Sequence, residues 1–300
     1  MLNRLFVTVV TIIGLCVAFS PSTLAQDAPI TGENTMPQTG YAAVNGLEMY
    51  YEIHGTGEPL IVLHGAYSSI PSMGEIVPRL AANRQVIAPE LQGHGRTADI
   101  DRPLRYESMA DDVAALMESI GVEQADIFGY SMGGGTALQL AIRHPERVRK
   151  LVVASTSIST DGWHPGLMEA FSTFTPEAFA GSPMEAEYAS LAPNPEDFPR
   201  LVEKLIELDT QEFHWSPEDI QAVTAPTLLI FGDADIVTLE HVVEMFRLRG
   251  GGVNGDFTGL PNAWLAVLPG TTHVGVMMRP DRIEALITDF LDAPAQQPPQ

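Results

Sequence analysis

From Tyr41 onward, short apolar runs alternate with stretches whose apolar positions recur at helical spacing. That alternation predicts an α/β fold: a mostly parallel, doubly wound sheet with helices on both faces. The opening strands, Tyr41 to Val44 and Leu47 to His54, are separated by Asn45-Gly46, a dipeptide that accepts the positive φ of a two-residue hairpin. Further strands are expected at Leu60 to Leu63, Gln85 to Ala88, Ala125 to Phe128, Lys150 to Ala154, Thr227 to Phe231 and Trp264 to Leu268. Between them, Ile76 to Ala82 is apolar on one side, Met109, Val113, Leu116 and Ile120 share a helical face, and Asp281 to Leu291 forms the closing helix.

Ser157 to Asp219 breaks the alternation. It is rich in proline, carries a scatter of aromatics including Trp163, Phe171, Phe174, Phe213 and Trp215, and has helical patterning without a convincing strand. It is expected to be a helical cap insertion, residues 157–219, seated over a core made of 41–156 and 220–292. Its aromatics are expected to serve mainly its own packing, and no internal repeat is present.

The ends of the chain differ from this middle. Arg4, the apolar run Leu5 to Phe19 and the small-residue site Thr23-Leu24-Ala25 make residues 1–25 a signal peptide, with cleavage near Ala25 and export to the periplasm or beyond. A retained membrane anchor is the competing reading, but the run is short for a span of about 20 residues and lacks a stop-transfer flank. Residues 26–40 have the composition of a flexible leader, and 293–300 that of a flexible tail. The only cysteine, Cys16, lies in the signal, so the mature chain forms no disulfide and depends on its packed core.

Net charge sharpens the picture. The chain carries −22, and loss of Arg4 with the signal makes it −23. Such a surface repels phosphate backbones and anionic lipid, which disfavours nucleic-acid partners and stable membrane association after cleavage. It favours solubility and a neutral or cationic small-molecule substrate.

The candidate chemistry centres on Gly129-Tyr130-Ser131-Met132-Gly133, which follows an expected strand and opens an expected helix. A serine hydroxyl is a weak nucleophile at neutral pH and needs a base, and a third group to orient that base. His273 follows the strand Trp264 to Leu268 and the turn Pro269-Gly270-Thr271-Thr272, at the carboxyl edge where Ser131 also projects. At the exit of Thr227 to Phe231 stands Gly232-Asp233-Ala234-Asp235. Asp235 has room to reach back to His273. Asp233, nearer the glycine, is expected to bind turn amides or point elsewhere.

The order Ser131, Asp235, His273 and the strand–turn–helix setting of the serine resemble the α/β-hydrolase superfamily over nearly all of Tyr41 to Leu291. The resemblance also rests on Leu63-His64-Gly65-Ala66, on Gly93-His94-Gly95-Arg96-Thr97 and on Gly270-Thr271-Thr272-His273. It implies an oxyanion hole from the backbone N–H groups of Ala66 and Met132. Electrostatics supports that choice, because preorganised donors meet the charge that gathers on a carbonyl oxygen under attack. One departure is Glu90-Leu91-Gln92-Gly93-His94-Gly95-Arg96-Thr97, where related hydrolases commonly carry D-x-x-G-x-G-x-S. The loop's hydrogen bonds are then expected to be remade.

The other histidines have simpler readings. His64 is expected to shape the oxyanion loop, His94 to anchor the G-H-G loop and His144 to cap a helix before Pro145, while His54, His164, His214 and His241 are surface or packing residues. The histidines form no H-x-x-x-H pair, so no metal is expected. Gly250-Gly251-Gly252 follows a helix and precedes a strand, the reverse of a phosphate loop, so no cofactor is expected and the segment should lie away from Ser131.

Together these features predict an exported serine hydrolase that cleaves a carboxylic ester or lactone through an acyl-enzyme. Haloalkane dehalogenases and epoxide hydrolases of this fold use an aspartate nucleophile, which Ser131 argues against. Prolyl-type aminopeptidase chemistry, with Glu169, Glu177, Glu185 or Glu187 holding a substrate ammonium, and cofactor-free perhydrolase chemistry are the alternatives on the same triad. A non-catalytic binding protein that kept the pocket is a further class.

Overall fold

The computed structural model describes residues 36–294. The expected signal peptide over 1–25, most of the 26–40 segment and the tail from residue 295 lie outside the described residues. Eight strands form one sheet: β1 (Gln38–Val44), β2 (Leu47–His54), β3 (Pro59–Leu63), β4 (Gln85–Pro89), β5 (Ala125–Tyr130), β6 (Val148–Ala154), β7 (Thr227–Ala234) and β8 (Ala263–Thr272). Their spatial order is β1-β2-β4-β3-β5-β6-β7-β8. β1 pairs antiparallel with β2, and β2 with β4. Every other pairing is parallel. Asn45 (φ 48°) and Gly46 (φ 88°) make the expected hairpin turn, with Val44 opposite Leu47.

The core helices are α1 (Ile76–Leu80), α2 (Tyr106–Ser119) and α3 (Met132–Arg143) in the first half of the chain. The insertion contributes α4 (Leu167–Phe171), α5 (Pro183–Leu191), α6 (Phe198–Thr210) and α7 (Pro217–Ala222). α8 (Leu239–Leu248), the short α9 (Gly255–Thr258), α10 (His273–Met277) and α11 (Pro280–Asp292) complete the chain. Alternation along the strands decides which layer each residue joins. On β3, Ile61 and Leu63 pack with α2 and α3 on one face, whereas Leu60 and Val62 pack with α1 and α11 on the other. Both faces are covered, which is why the central strands are apolar throughout rather than alternating.

The insertion caps the first of these layers. α6 buries Leu201, Val202, Leu205 and Leu208 against it, each contributing on the order of 1.5–3 kcal/mol relative to exposure. Flanking that face, Lys204 Nζ reaches Asp99 at 2.6 Å and the carbonyls of Ile100 and Arg102, fixing the helix over the core.

Three element boundaries differ from expectation. β1 starts at Gln38, inside the segment assigned to the leader, because backbone pairing to Ile53 continues past the last apolar residue. β7 and β8 run on through the segments read as turns: after an irregularity between Gly232 and Ala234, pairing resumes at Ala234 and Thr272. Pro269 is tolerated there because β8 is an edge strand and its missing N–H costs no ladder bond. Within the insertion, isolated bridges join Ser159 to His214 and Trp163 to Val237. The glycine-rich segment after α8 lies at the amino end of β8, the end opposite Ser131. Among the described residues no helix is long and apolar enough to cross a membrane.

Candidate active site

Ser131 sits between β5 and α3 with φ 54° and ψ −118°, a conformation that L-residues avoid. Its surroundings enforce that conformation. The Ser131 N–H donates to Ala154 O at 2.9 Å, which pins the elbow to β6. A Cβ at Gly133 would run into the carbonyls of Leu63 and His64, so only glycine lets α3 start this close to the end of β3. The strained turn is thereby held between two strand ends.

His273 opens α10, whose start is fixed by Thr272 Oγ1 accepting from Gly275 N–H at 3.1 Å. Its Nε2 lies 2.9 Å from Ser131 Oγ and its Nδ1 lies 2.9 Å from Asp235 Oδ1. With Nδ1–H donating to the carboxylate, Nε2 is left to accept from the serine hydroxyl. The Tyr130 hydroxyl donates to His273 O at 3.1 Å and ties this turn back to the elbow.

Asp235 is buried and densely bonded. Ser155 Oγ donates to its Oδ2 at 2.7 Å, Gly232 N–H to the same oxygen at 3.3 Å and Ile236 N–H to Oδ1 at 2.8 Å. Burial pushes its carboxyl up, but the hydrogen bond and charge of His273 and the bonds from Ser155 and Gly232 outweigh it and hold the group below the usual carboxylate range. Asp233 points elsewhere: it accepts from Thr271 N–H at 3.0 Å, and the backbone N–H groups of Gly270 and Thr271 keep its carboxyl low.

Facing Ser131 is the turn after β3. A Cβ on Gly65 would stand 3.4 Å from Ser131 Cβ, so the backbone leading to Ala66 lies against the serine. Among the described residues the Ala66 N–H has no acceptor. Met132 is the first residue of α3, where an N–H has no intrahelical partner and the positive end of the helix dipole favours an anion. The structure thus brings Ala66, Met132, Ser131, His273 and Asp235 together.

Buried histidines support the turn. His64 Nδ1 bonds Gly65 O at 2.8 Å while its Nε2 accepts from Leu91 N–H at 3.1 Å, which joins the turns after β3 and β4. Burial lowers its pKa to about 4. His94 bonds Gln92 O at 3.0 Å, and burial together with the neighbouring His64 lowers its pKa to about 3. The remaining histidines stand apart from Ser131: His54 and His144 pair with Glu52 and Asp111, His241 packs with Glu244, and His164 and His214 are exposed.

The departing loop after β4 does remake its bonds. Glu90 is fully buried and accepts from Arg96 N–H at 2.5 Å and from Arg96 Nη1 at 2.9 Å. Thr97 Oγ1 donates to Glu90 O at 2.7 Å and accepts from Tyr50 N–H at 2.9 Å. The threonine hydroxyl does what a serine would.

Ser155 went unmarked in the sequence, and Tyr130 was noted there only as part of the motif around Ser131. Ser155 stands directly after β6, at a strand end neighbouring β7, and its φ of 54° marks it as a second strained residue beside the acid. A polar residue at the end of the strand between those that carry Ser131 and Asp235 is the signal that could have singled it out.

A mostly parallel eight-stranded sheet, a helical cap and a serine, imidazole and carboxylate joined at its carboxyl edge define the class: the chain has the α/β-hydrolase fold. Residues 58–191 match the model of the family described by the alpha/beta hydrolase fold. A pimeloyl-[acyl-carrier protein] methyl ester esterase of Yersinia enterocolitica is 27% identical over 272 residues, covering 81% of this chain and 97% of that enzyme. A 2-hydroxymuconate semialdehyde hydrolase of Pseudomonas sp. is 38% identical over 107 residues, 34% of this chain and 38% of that enzyme. Among solved structures, the enol-lactonase of Burkholderia xenovorans shares the fold with a TM-score of 0.64 at 22% identity, over 84% of this chain and all of that one.

Proposed function

We propose that the protein is a serine hydrolase that cleaves carboxylic esters or lactones through an acyl-enzyme. The observation that carries this reading is the unbroken chain of 2.9 Å contacts from Ser131 Oγ through His273 to Asp235. Ser131 Oγ attacks the carbonyl carbon while His273 Nε2 takes the hydroxyl proton, and the electron pair of the C=O bond moves onto oxygen. The N–H groups of Ala66 and Met132 hold that oxyanion, each donor worth about 3 kcal/mol in comparable sites. Collapse breaks the bond to the leaving alkoxide, which receives the proton from His273. Water then repeats the sequence on the acyl-serine and frees the acid. Asp235 keeps its charge throughout and stabilises the imidazolium.

An ester or lactone substrate is in keeping with a relative named a methyl ester esterase and a fold neighbour named an enol-lactonase. The composition of residues 1–25 supports export with cleavage near Ala25, and the charge of −22 supports a neutral or cationic substrate. A fluorophosphonate probe tests the nucleophile: intact-mass and peptide analysis should find one adduct, on Ser131. A folded protein that takes no label, or takes it elsewhere, contradicts the assignment.

A further inference from the structure

Asp209 is the penultimate residue of α6, in the cap. Its side chain is half-buried. Among the described residues no cation and no hydrogen-bond donor meets its carboxylate. A carboxylate in the last turn of a helix also opposes the negative end of the helix dipole. Nothing in the fold therefore stabilises its charge, although burying an unpaired carboxylate is costly.

Two tyrosines near it belong to an arc of packed rings. The phenols of Tyr67 and Tyr106 both feel its charge. Tyr67 stacks on Phe179 at 4.9 Å, and Phe179 meets Phe174 at 5.7 Å. From the other side Tyr106 packs on Phe213 at 5.5 Å, and Phe213 on Trp163 at 5.9 Å. Phe171 joins the two halves, 5.8 Å from Phe174 and 5.9 Å from Trp163. The arc is anchored around the triad. Tyr67 directly follows Ala66, Trp163 pairs with Val237 two residues beyond Asp235, and the Tyr106 ring lies against Gly135 in the first turn of α3. The Tyr67 hydroxyl is itself buried without a hydrogen-bond partner.

We infer that Asp209 is a specificity residue that binds a protonated amine on the substrate, at the end remote from the scissile bond, beside the aromatic arc that runs out from the loops around Ser131. A carboxylate flanked by ring faces is suited to a cation: the carboxylate and the free Tyr67 oxygen accept its N–H bonds, and the rings attract it through their quadrupoles. An anionic group would meet the unpaired carboxylate, and an all-apolar group would leave it unsatisfied. This rests on the ester-hydrolase reading above. Burial raises the Asp209 carboxyl to about 7, so it is poised to ionise when a cation arrives.

The test compares p-nitrophenyl esters of benzoic, phenylacetic and phenylpropanoic acids bearing either a para CH2NH3+ or a para CH2CH3 group, which match in shape. The ratio of kcat/KM for the ammonium ester over its ethyl twin should exceed one for at least one spacer and fall about tenfold or more in Asp209→Asn. Asp209→Glu should keep part of the preference. Because Asp209→Asn removes an unpaired buried charge, it should melt no lower than the native protein. Binding without turnover is read by calorimetry of Ser131→Ala with the corresponding amides. Tighter binding of the ammonium amide, lost when Asp209→Asn is added, supports the inference even if neither ester is cleaved, an outcome that would contradict only the ester reading. Equal affinities for the two amides, or a preference that survives Asp209→Asn, overturns it.

Discussion

Among the four non-glycine residues with positive φ in the described chain, Tyr67, Ser131 and Ser155 stand on the loops around the triad. Each such conformation costs on the order of 1–3 kcal/mol and persists only where the surroundings impose it. Ser155 shows what the strain does, because its turned backbone delivers Oγ to Asp235 Oδ2 at 2.7 Å. Ser155→Ala should leave that oxygen with only the longer bond from Gly232, loosening the carboxylate that orients His273. We expect kcat for a p-nitrophenyl ester to fall about tenfold, with KM little changed, and stability to fall by about 1–2 kcal/mol. An unchanged kcat would remove Ser155 from the positioning role. Ser131, Asp235 and His273 were legible in the sequence because each sits in a short motif at a strand exit. Asp209 was not: Leu208-Asp209-Thr210 has the pattern of any amphipathic helix end, and only the tertiary fold shows that its carboxylate lies near Tyr67 and Tyr106 with no cation to pair it.

At the scale of elements, the sequence located every strand of the sheet and the helical character of the cap. Continuous apolar runs bounded by Gly, Pro and Asn carry that information locally. What it missed were the extensions of β7 and β8, since Gly232-Asp233 and Pro269-Gly270 have turn chemistry and only the neighbouring strand shows that pairing resumes at Ala234 and Thr272. These extensions matter to the site. Asp235 leaves β7 just after the resumed pairing and His273 leaves β8 at the same level, which brings acid and base within 2.9 Å. The aromatics of the insertion were expected to pack mainly among themselves, and many do. Yet Tyr67 and Tyr106, both outside the insertion, complete the arc by meeting Phe179 and Phe213. A pairing between segments this distant in sequence leaves no local trace.

Over the whole molecule, the charge of −22 sets a field that attracts cations, and Asp209 is one of the carboxylates that make it. The charge of Asp209 helps to raise the phenols of Tyr67 and Tyr106. Its carboxyl, raised to about 7, keeps a proton in the folded chain that the unfolded chain releases near pH 4. Between those values the folded state binds more protons, so Asp209 lowers stability as pH rises, and the full penalty is present above about 7. Asp209→Asn should therefore raise Tm by several degrees at pH 8 and by much less at pH 4.5, as read by calorimetric melting. An equal gain at both values would mean that Asp209 titrates normally.

The central claim is that Ser131, held by its strained turn and joined to His273 and Asp235, is the nucleophile. Steady-state turnover of a p-nitrophenyl ester by Ser131→Ala tests it most directly. Because the triad acts as a unit, kcat should fall about 10³-fold or more while the variant stays folded. A folded Ser131→Ala protein that hydrolyses the ester at a rate comparable to the native chain would contradict it.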